Sequence, residues 1–359
     1  MNKKLISDYA HLLESEMCEV CGCTEPASIA FACARAMKVL GEKDRRADPA
    51  KVSVKLRVSR GVYRNASTVK VPFLKMRGVK PAIVCGLFGN DSVFNPFASL
   101  NQKNRKAMIS MLWKEKWCQI EPLDKPGLFV ETEIKYGKNT VRVTIEEKHD
   151  NIKKVFLNGK SVLKAEEAEE TVLKIESLEQ IRNIVSKKIS ELEKIALKFL
   201  NKQAAIIKKM KRFSALDETE RLIKNRMEGG NLPVQTFTGS GNQGLFISVS
   251  FYKLYVKYGR RVIPSFLFTL LTQIYMTQQK GRISSLCGLS DKCAQSLTAG
   301  LSYWKGDNLE TIIHKMNLAG EVFRGMLCEG AQKSCADKGA AILGYLFEKF
   351  AGDFKKNGS

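Results

Sequence analysis

Hydrophobic positions change their period several times along this chain. They recur at helical spacing from Lys4 to Glu16, and again from Glu25 to Leu40, where Ile29, Ala30, Cys33, Ala36, Met37 and Leu40 share a face. Thr24 is the expected N-cap of that second helix. Pro26 falls in the first turn, where its missing N–H costs little, so Cys23 stands just outside a helix N-terminus. Strict alternation follows in "KVSVKLRVS", where Val52, Val54, Leu56 and Val58 predict a half-buried strand. "GLFVETEIKYGKNTVRVTIEEKHD" predicts a hairpin turning at Gly137-Lys138-Asn139, and "NIKKVFLNGK" adds a strand and an Asn158-Gly159 turn. From Ser177 to Met227 the period is helical again, and from Asn242 onward it is helical almost throughout. The expected fold is therefore α+β: an N-terminal mixed part with antiparallel strands (1–215), then a mostly helical part (216–359). The joint is expected near "NRMEGGNLPVQ".

The run "VIPSFLFTLLTQIYM" contains Pro264 and Gln273 and is too short to span a bilayer, so it predicts a buried helix. The start of the chain lacks the uninterrupted apolar core of a secretion signal, so a cytoplasmic location is expected. Hydrophobic residues make up 44% of the 359, which suits an ordinary globular core. The net charge of +22 raises nucleic acid as a partner. Lys and Arg are nevertheless spread along the whole chain, without an arginine-rich arm or interleaved aromatics, so a solvated basic surface is the better reading. Neither nucleic acid nor a membrane is an expected partner.

Ten cysteines in an unsecreted chain argue against a disulfide scaffold and leave metal ligation, catalysis or burial. Cys18, Cys21, Cys23 and Cys33 crowd the N-terminal stretch, and Cys287, Cys293, Cys328 and Cys335 the helical half. Cys18 and Cys21 form one CxxC without a second knuckle. Spacing alone leaves a thiolate metal site and small buried hydrophobes equally open.

The stretches "GCTEPASIAFA" (22–32), "GSGNQGLFIS" (239–248), "LCGLSDKCAQSLTAGLSYWKGDN" (286–308) and "GMLCEGAQKSCADK" (325–338) resemble the L-cysteine desulfidase family, a relative of the iron–sulfur L-serine dehydratases. "VYRN" (62–65) and "HDNI" (149–152) extend the similarity over most of the chain. The resemblance implies a [4Fe-4S] cluster held by Cys287, Cys328 and Cys335, with one iron left open. It implies Cys23 as base in a β-elimination of L-cysteine to sulfide, ammonia and pyruvate. A small amino acid is then the substrate, with Thr24, Glu25, Asn65, His149, Ser240, Gly241, Asn242 and Gln243 as candidate contacts, and a homodimer is admitted.

The chemistry agrees. Elimination needs a base for the α-proton and a Lewis acid for the leaving group. A helix N-terminus is expected to lower the Cys23 thiol pKa. The glycine turn at 239–244 is expected to offer backbone N–H groups to a carboxylate, with Asn242 and Gln243 as side-chain donors. That turn and His149 also admit a purely structural reading. Cys18, Cys21 and Cys293 read as incidental or core residues, and Phe73 to Met76 stand where the family has a glycine-containing turn, which implies a bulkier pocket wall. The alternatives are elimination from L-serine or another β-substituted amino acid, or a non-catalytic iron–sulfur sensor or sulfur-handling binding protein.

Overall fold

The computed structural model describes residues 3–44, 48–91, 94–163, 173–207 and 215–350. In chain order the first elements are α1 (Lys3–Ser15), β1 (Glu19–Cys21), α2 (Thr24–Asp44), β2 (Ser53–Ser59), α3 (Arg60–Thr68), β3 (Lys70–Val71), β4 (Met76–Arg77), α4 (Val79–Phe88) and α5 (Arg105–Leu112). Strands β5 (Cys118–Leu123), β6 (Phe129–Tyr136), β7 (Asn139–Glu146), β8 (Ile152–Leu157) and β9 (Lys160–Ser161) follow. The rest is α6 (Leu178–Ser186), α7 (Ser190–Ile207), α8 (Ala215–Met227), β10 (Pro233–Gln235), α9 (Gly241–Tyr258), α10 (Ile263–Lys280), α11 (Ala294–Trp304), α12 (Leu309–Val322) and α13 (Ser334–Phe350). The architecture is α+β, as the periodicity predicts.

The main sheet runs β5-β2-β6-β7-β8-β9, antiparallel except for the β2–β5 pair. The alternating residues of the predicted strands form its buried face: Val54, Leu56 and Val58 on β2, Val130 and Ile134 on β6, and Val141, Val143 and Ile145 on β7. Helix α2 lies across β6 and β7, with α4 beside it. Gly86 is what lets α4 approach so closely, because a Cβ there would sit 2.3 Å from the Ala30 carbonyl oxygen. Cys33 packs under α2 against Thr132 of β6, its Sγ 3.6 Å from the threonine hydroxyl, and is a core residue.

In the helical half α10 is the central element, with Phe266, Phe268, Leu270, Leu271 and Ile274 all buried. It is the helix expected from the apolar run at 262–276, and among the described residues no helix is long and apolar enough to cross a membrane.

Two short features escaped the periodicity and matter most for the site. β1 pairs antiparallel with β10, so the segment carrying Cys18 and Cys21 is stitched to the chain just before α9. Leu286 and Leu327 form an isolated antiparallel bridge, which sets the loops bearing Cys287 and Cys328 side by side. Three-residue strands and single bridges carry too few alternations to register as a pattern.

Candidate functional site

The resting place of Cys23 follows from its backbone. Its carbonyl accepts the Ala27 N–H at 3.3 Å, so Cys23 itself occupies the capping position of α2 and Thr24 is already the first helical residue. This corrects the expectation that Thr24 is the cap. The Thr24 hydroxyl lies instead 3.2 Å from the Glu25 carboxylate and donates to it. Gly22, at φ 68°, makes the turn before Cys23, and a Cβ there would overlap Pro72 at 2.4 Å.

The Cys23 thiol donates to Glu25 Oε2 at 2.8 Å. Burial pushes its pKa well above the ordinary value, and the Glu25 charge and hydrogen bond push it further; only the Arg226 guanidinium and a backbone contact oppose them. The expected lowering by the helix N-terminus is therefore overturned. One ionised carboxylate held within hydrogen-bond distance outweighs a terminus worth about half a charge. Glu25 is itself held at about 2. Burial raises it, but His149, Cys23 and Asn65 more than offset this. Asn65 Nδ2 donates to Glu25 Oε1 at 2.8 Å, and His149 Nε2 stands 3.8 Å from the same oxygen, a distance for charge attraction and not for a hydrogen bond. His149 is 5% exposed and both ring nitrogens lack a hydrogen-bond partner among the described residues.

One consequence is testable directly. Glu25→Gln removes the carboxylate charge, so the Cys23 pKa falls and iodoacetamide alkylates that thiol faster at pH 8. Peptide mass spectrometry over a time course reads the rate at Cys23 alone, and an unchanged or slower rate would contradict the geometry.

Cys23, Thr24, Glu25, Asn65 and His149 form one wall of a cavity of about 110 Å³. Ser240, Gly241, Asn242 and Gln243 form a second wall, and Cys287, Cys328 and Cys335 a third. All twelve residues expected from the sequence thus line a single space, although more than two hundred positions separate the first wall's Cys23 from the third wall.

The second wall is the start of α9. Ser240 caps it, accepting the Gln243 N–H at 3.4 Å. The preceding turn holds Thr238 at φ 48° and Gly239 at φ 81°, which brings the Gly239 backbone against His149. Gln243 does not point freely into the cavity. Its Oε1 accepts from Thr238 at 3.0 Å and from Gln273 at 2.7 Å.

The third wall is held by backbone pairing. Cys287 N donates to the Met326 carbonyl and Cys328 N to the Ser285 carbonyl, both at 2.8 Å. Cys335 sits in the first turn of α13, and its thiol faces the Gly330 carbonyl at 3.6 Å. Helix α3 buttresses both loops. Arg64 donates to the Ser284 carbonyl at 2.9 Å, and the Thr68 hydroxyl reaches the Ala331 carbonyl at 3.3 Å.

All three thiols are free. Burial raises Cys335 to about 11, and the neighbouring Cys287 and Cys328 add to that rise. Three soft thiol donors on one wall of a cavity are of the type that thiophilic metals take. Among the described residues no three His, Cys, Asp or Glu side chains converge tightly enough for a single metal ion. Thiolates on a cluster each bind a different iron and need not converge on one point, so by donor type Cys287, Cys328 and Cys335 could hold one.

The remaining cysteines fall elsewhere. Cys293 is fully buried in a π-helical turn, Leu289–Cys293, that leads into α11. The Cys21 thiol donates to the Asn231 carbonyl at 3.2 Å, and Cys18 Sγ meets the Thr236 hydroxyl at 3.0 Å. Both fasten β1 to β10 and neither lines the cavity. Phe73 to Met76 do not line it either, so the expected bulkier wall is not found; Pro72 beside Gly22 is the nearest link.

Three lining cations were not anticipated: Arg226, Arg282 and Lys292. Arg282 pairs with the buried Glu16. Lys292 donates to the Gly281 carbonyl at 2.7 Å and anchors the loop ahead of Cys287. Arg226 is 2% exposed and donates to the Gly22 carbonyl and to Asn242 Oδ1. Its helical spacing from the buried Leu222 and Ile223 was the available signal, since it puts a charged residue on an apolar face.

A sequence model described as serine dehydratase alpha chain matches residues 100–344. A protein named L-cysteine desulfidase from Methanococcus maripaludis (strain C7) is 28% identical over 91% of this chain and 83% of its own length. UPF0597 proteins from Thermosipho africanus (30% identical, 90% of this chain, 83% of the relative) and Lachnoclostridium phytofermentans (27%, 96% and 87%) are similarly related.

Proposed function

The chain belongs to the serine dehydratase alpha chain family, and from that premise we propose that it is an iron–sulfur lyase that eliminates sulfide from L-cysteine. The observation that carries this reading is the single cavity that joins Cys23 and its Glu25 partner to Cys287, Cys328 and Cys335. These three cysteines would hold a [4Fe-4S] cluster, which when bound supplies a Lewis acid for the departing sulfur.

The chain's own residues do the rest. Cys23 takes the α-proton, and the electron pair it leaves forms the Cα–Cβ double bond as the Cβ–S bond breaks. The released enamine tautomerises, and water hydrolyses it to pyruvate and ammonia. Cys23 must first lose its own proton. The thiol donates to Glu25 Oε2, and Asn65 and His149 hold the other carboxylate oxygen in place; a carboxyl held at about 2 is too acidic to keep the thiol's proton, so its part is to orient Cys23. The opening of α9 at Ser240, Gly241 and Asn242 receives the substrate carboxylate. Gln243, already engaged by Thr238 and Gln273, shapes that corner.

The test is product analysis on anaerobically reconstituted protein. L-cysteine should yield sulfide and pyruvate in equal amounts and faster than L-serine yields pyruvate. Faster turnover of L-serine would reassign the substrate, and a cluster-loaded chain that turns over neither would end the lyase reading.

A further inference from the structure

Arg226 is a full positive charge placed where solvent cannot reach it. Among the described residues it forms no ion pair within 4 Å: it donates to the backbone carbonyl of Gly22 and to the amide oxygen of Asn242. Its Nε is buried and has no hydrogen-bond partner among the described residues. Burial pushes its pKa down, which marks the cost of holding the charge there. The Cys23 and Glu25 charges act on it from beyond ion-pair distance and do not cancel the cost of burial, so an anion in direct contact would complete the arrangement.

The surroundings show where that anion would sit. The guanidinium lies over the first residue of α9, and a Cβ at Gly241 would stand 2.3 Å from Nη2. Gly241 is thus required for the arginine to approach the helix start. The first turn of this 18-residue helix, Gly241 to Gln243, lines the same cavity; Gln243 N donates to the Ser240 cap, and the N–H groups of Gly241 and Asn242 have no intrahelical acceptor. Asn242, whose side chain the arginine holds, also lines it. The same cavity is lined by Glu25, a fixed anion that repels a second one. A ligand with one carboxylate therefore has a single favourable orientation: carboxylate toward Arg226 and α9.

We propose that Arg226 is a specificity-determining residue that binds the α-carboxylate of the ligand, restricting this site to α-amino and α-keto acids and excluding amines and esters of the same shape. The assignment rests on the small-acid lyase reading above and names the group that selects the acid.

Binding of pyruvate, measured by calorimetry on the intact chain, tests it without requiring turnover. Wild-type protein should bind pyruvate at least about tenfold more tightly than methyl pyruvate, the loss of one modest charge interaction being about 1.4 kcal/mol. R226M should lose that preference by weakening pyruvate alone, and R226K should restore part of it. Methyl pyruvate binding as tightly as pyruvate to the wild type overturns the proposal whether or not any variant folds. Undiminished pyruvate binding by folded R226M, checked by circular dichroism, overturns it too, as does wild-type protein that binds no pyruvate. Absence of sulfide release together with intact, arginine-dependent pyruvate binding would instead sink the lyase reading and leave the carboxylate site standing.

Discussion

Cys23→Ala abolishes sulfide release from L-cysteine while leaving iron content and fold intact. The expected loss in kcat is about 10²- to 10⁴-fold, the range for removing a positioned general base. The fold survives because the structural work at this position is done by the backbone. The Cys23 carbonyl caps α2 and Gly22 makes the turn, while the thiol's one strong contact is with Glu25. Cys23→Ser separates base strength from geometry. A hydroxyl can still donate to Glu25, yet it is a far weaker acid than a thiol and does not serve as the proton acceptor. Both variants should therefore be inactive and both should retain iron. A Cys23→Ala protein that loses its iron would mean that this cysteine is a ligand, and one that keeps wild-type turnover would remove it from the chemistry.

The converse pattern is expected at the third wall. Replacing Cys287, Cys328 or Cys335 by alanine should abolish both activity and cluster content, measured as iron and acid-labile sulfide after anaerobic reconstitution. Each thiol contributes little to the fold by itself. The loops are fixed by the Cys287–Met326 and Cys328–Ser285 backbone hydrogen bonds and by α3 behind them, so the variants should remain soluble and folded. Loss of one of three thiolates leaves two, too few to retain the cluster against chelators. By contrast Cys18→Ala, Cys21→Ala and Cys293→Ala should keep iron, because those thiols face Thr236, Asn231 and the core. Full iron content in Cys335→Ala would contradict the ligand assignment.

The long elements of this protein were legible because their burial is periodic. α2, α10 and the β6–β7 hairpin each present an uninterrupted hydrophobic face, and the structure places them as the pattern predicts. The twelve candidate site residues were legible through motif resemblance, and the structure brings them to one cavity. What could not be read was the electrostatics. The charge of Glu25 acts on Cys23 across 2.8 Å, and a rule about helix termini cannot weigh that without the coordinates. Arg226 was missed for a related reason. A single arginine among the 59 basic residues of the chain carries no signal until its burial is known. The CxxC at Cys18 and Cys21, lacking a second knuckle, reads as incidental or core, and beside the β1–β10 pairing its thiols meet Thr236 and Asn231, which flank β10.

The most direct test is the iron and acid-labile sulfide content of the wild-type chain, purified and reconstituted without oxygen, together with its visible spectrum. The account predicts brown protein with thiolate-to-iron absorption and a full cluster per chain, bleaching in air as expected for an iron open to solvent. Colourless protein that takes up no iron under those conditions would contradict the joining of Cys287, Cys328 and Cys335 in one metal centre, and with it the proposed reaction.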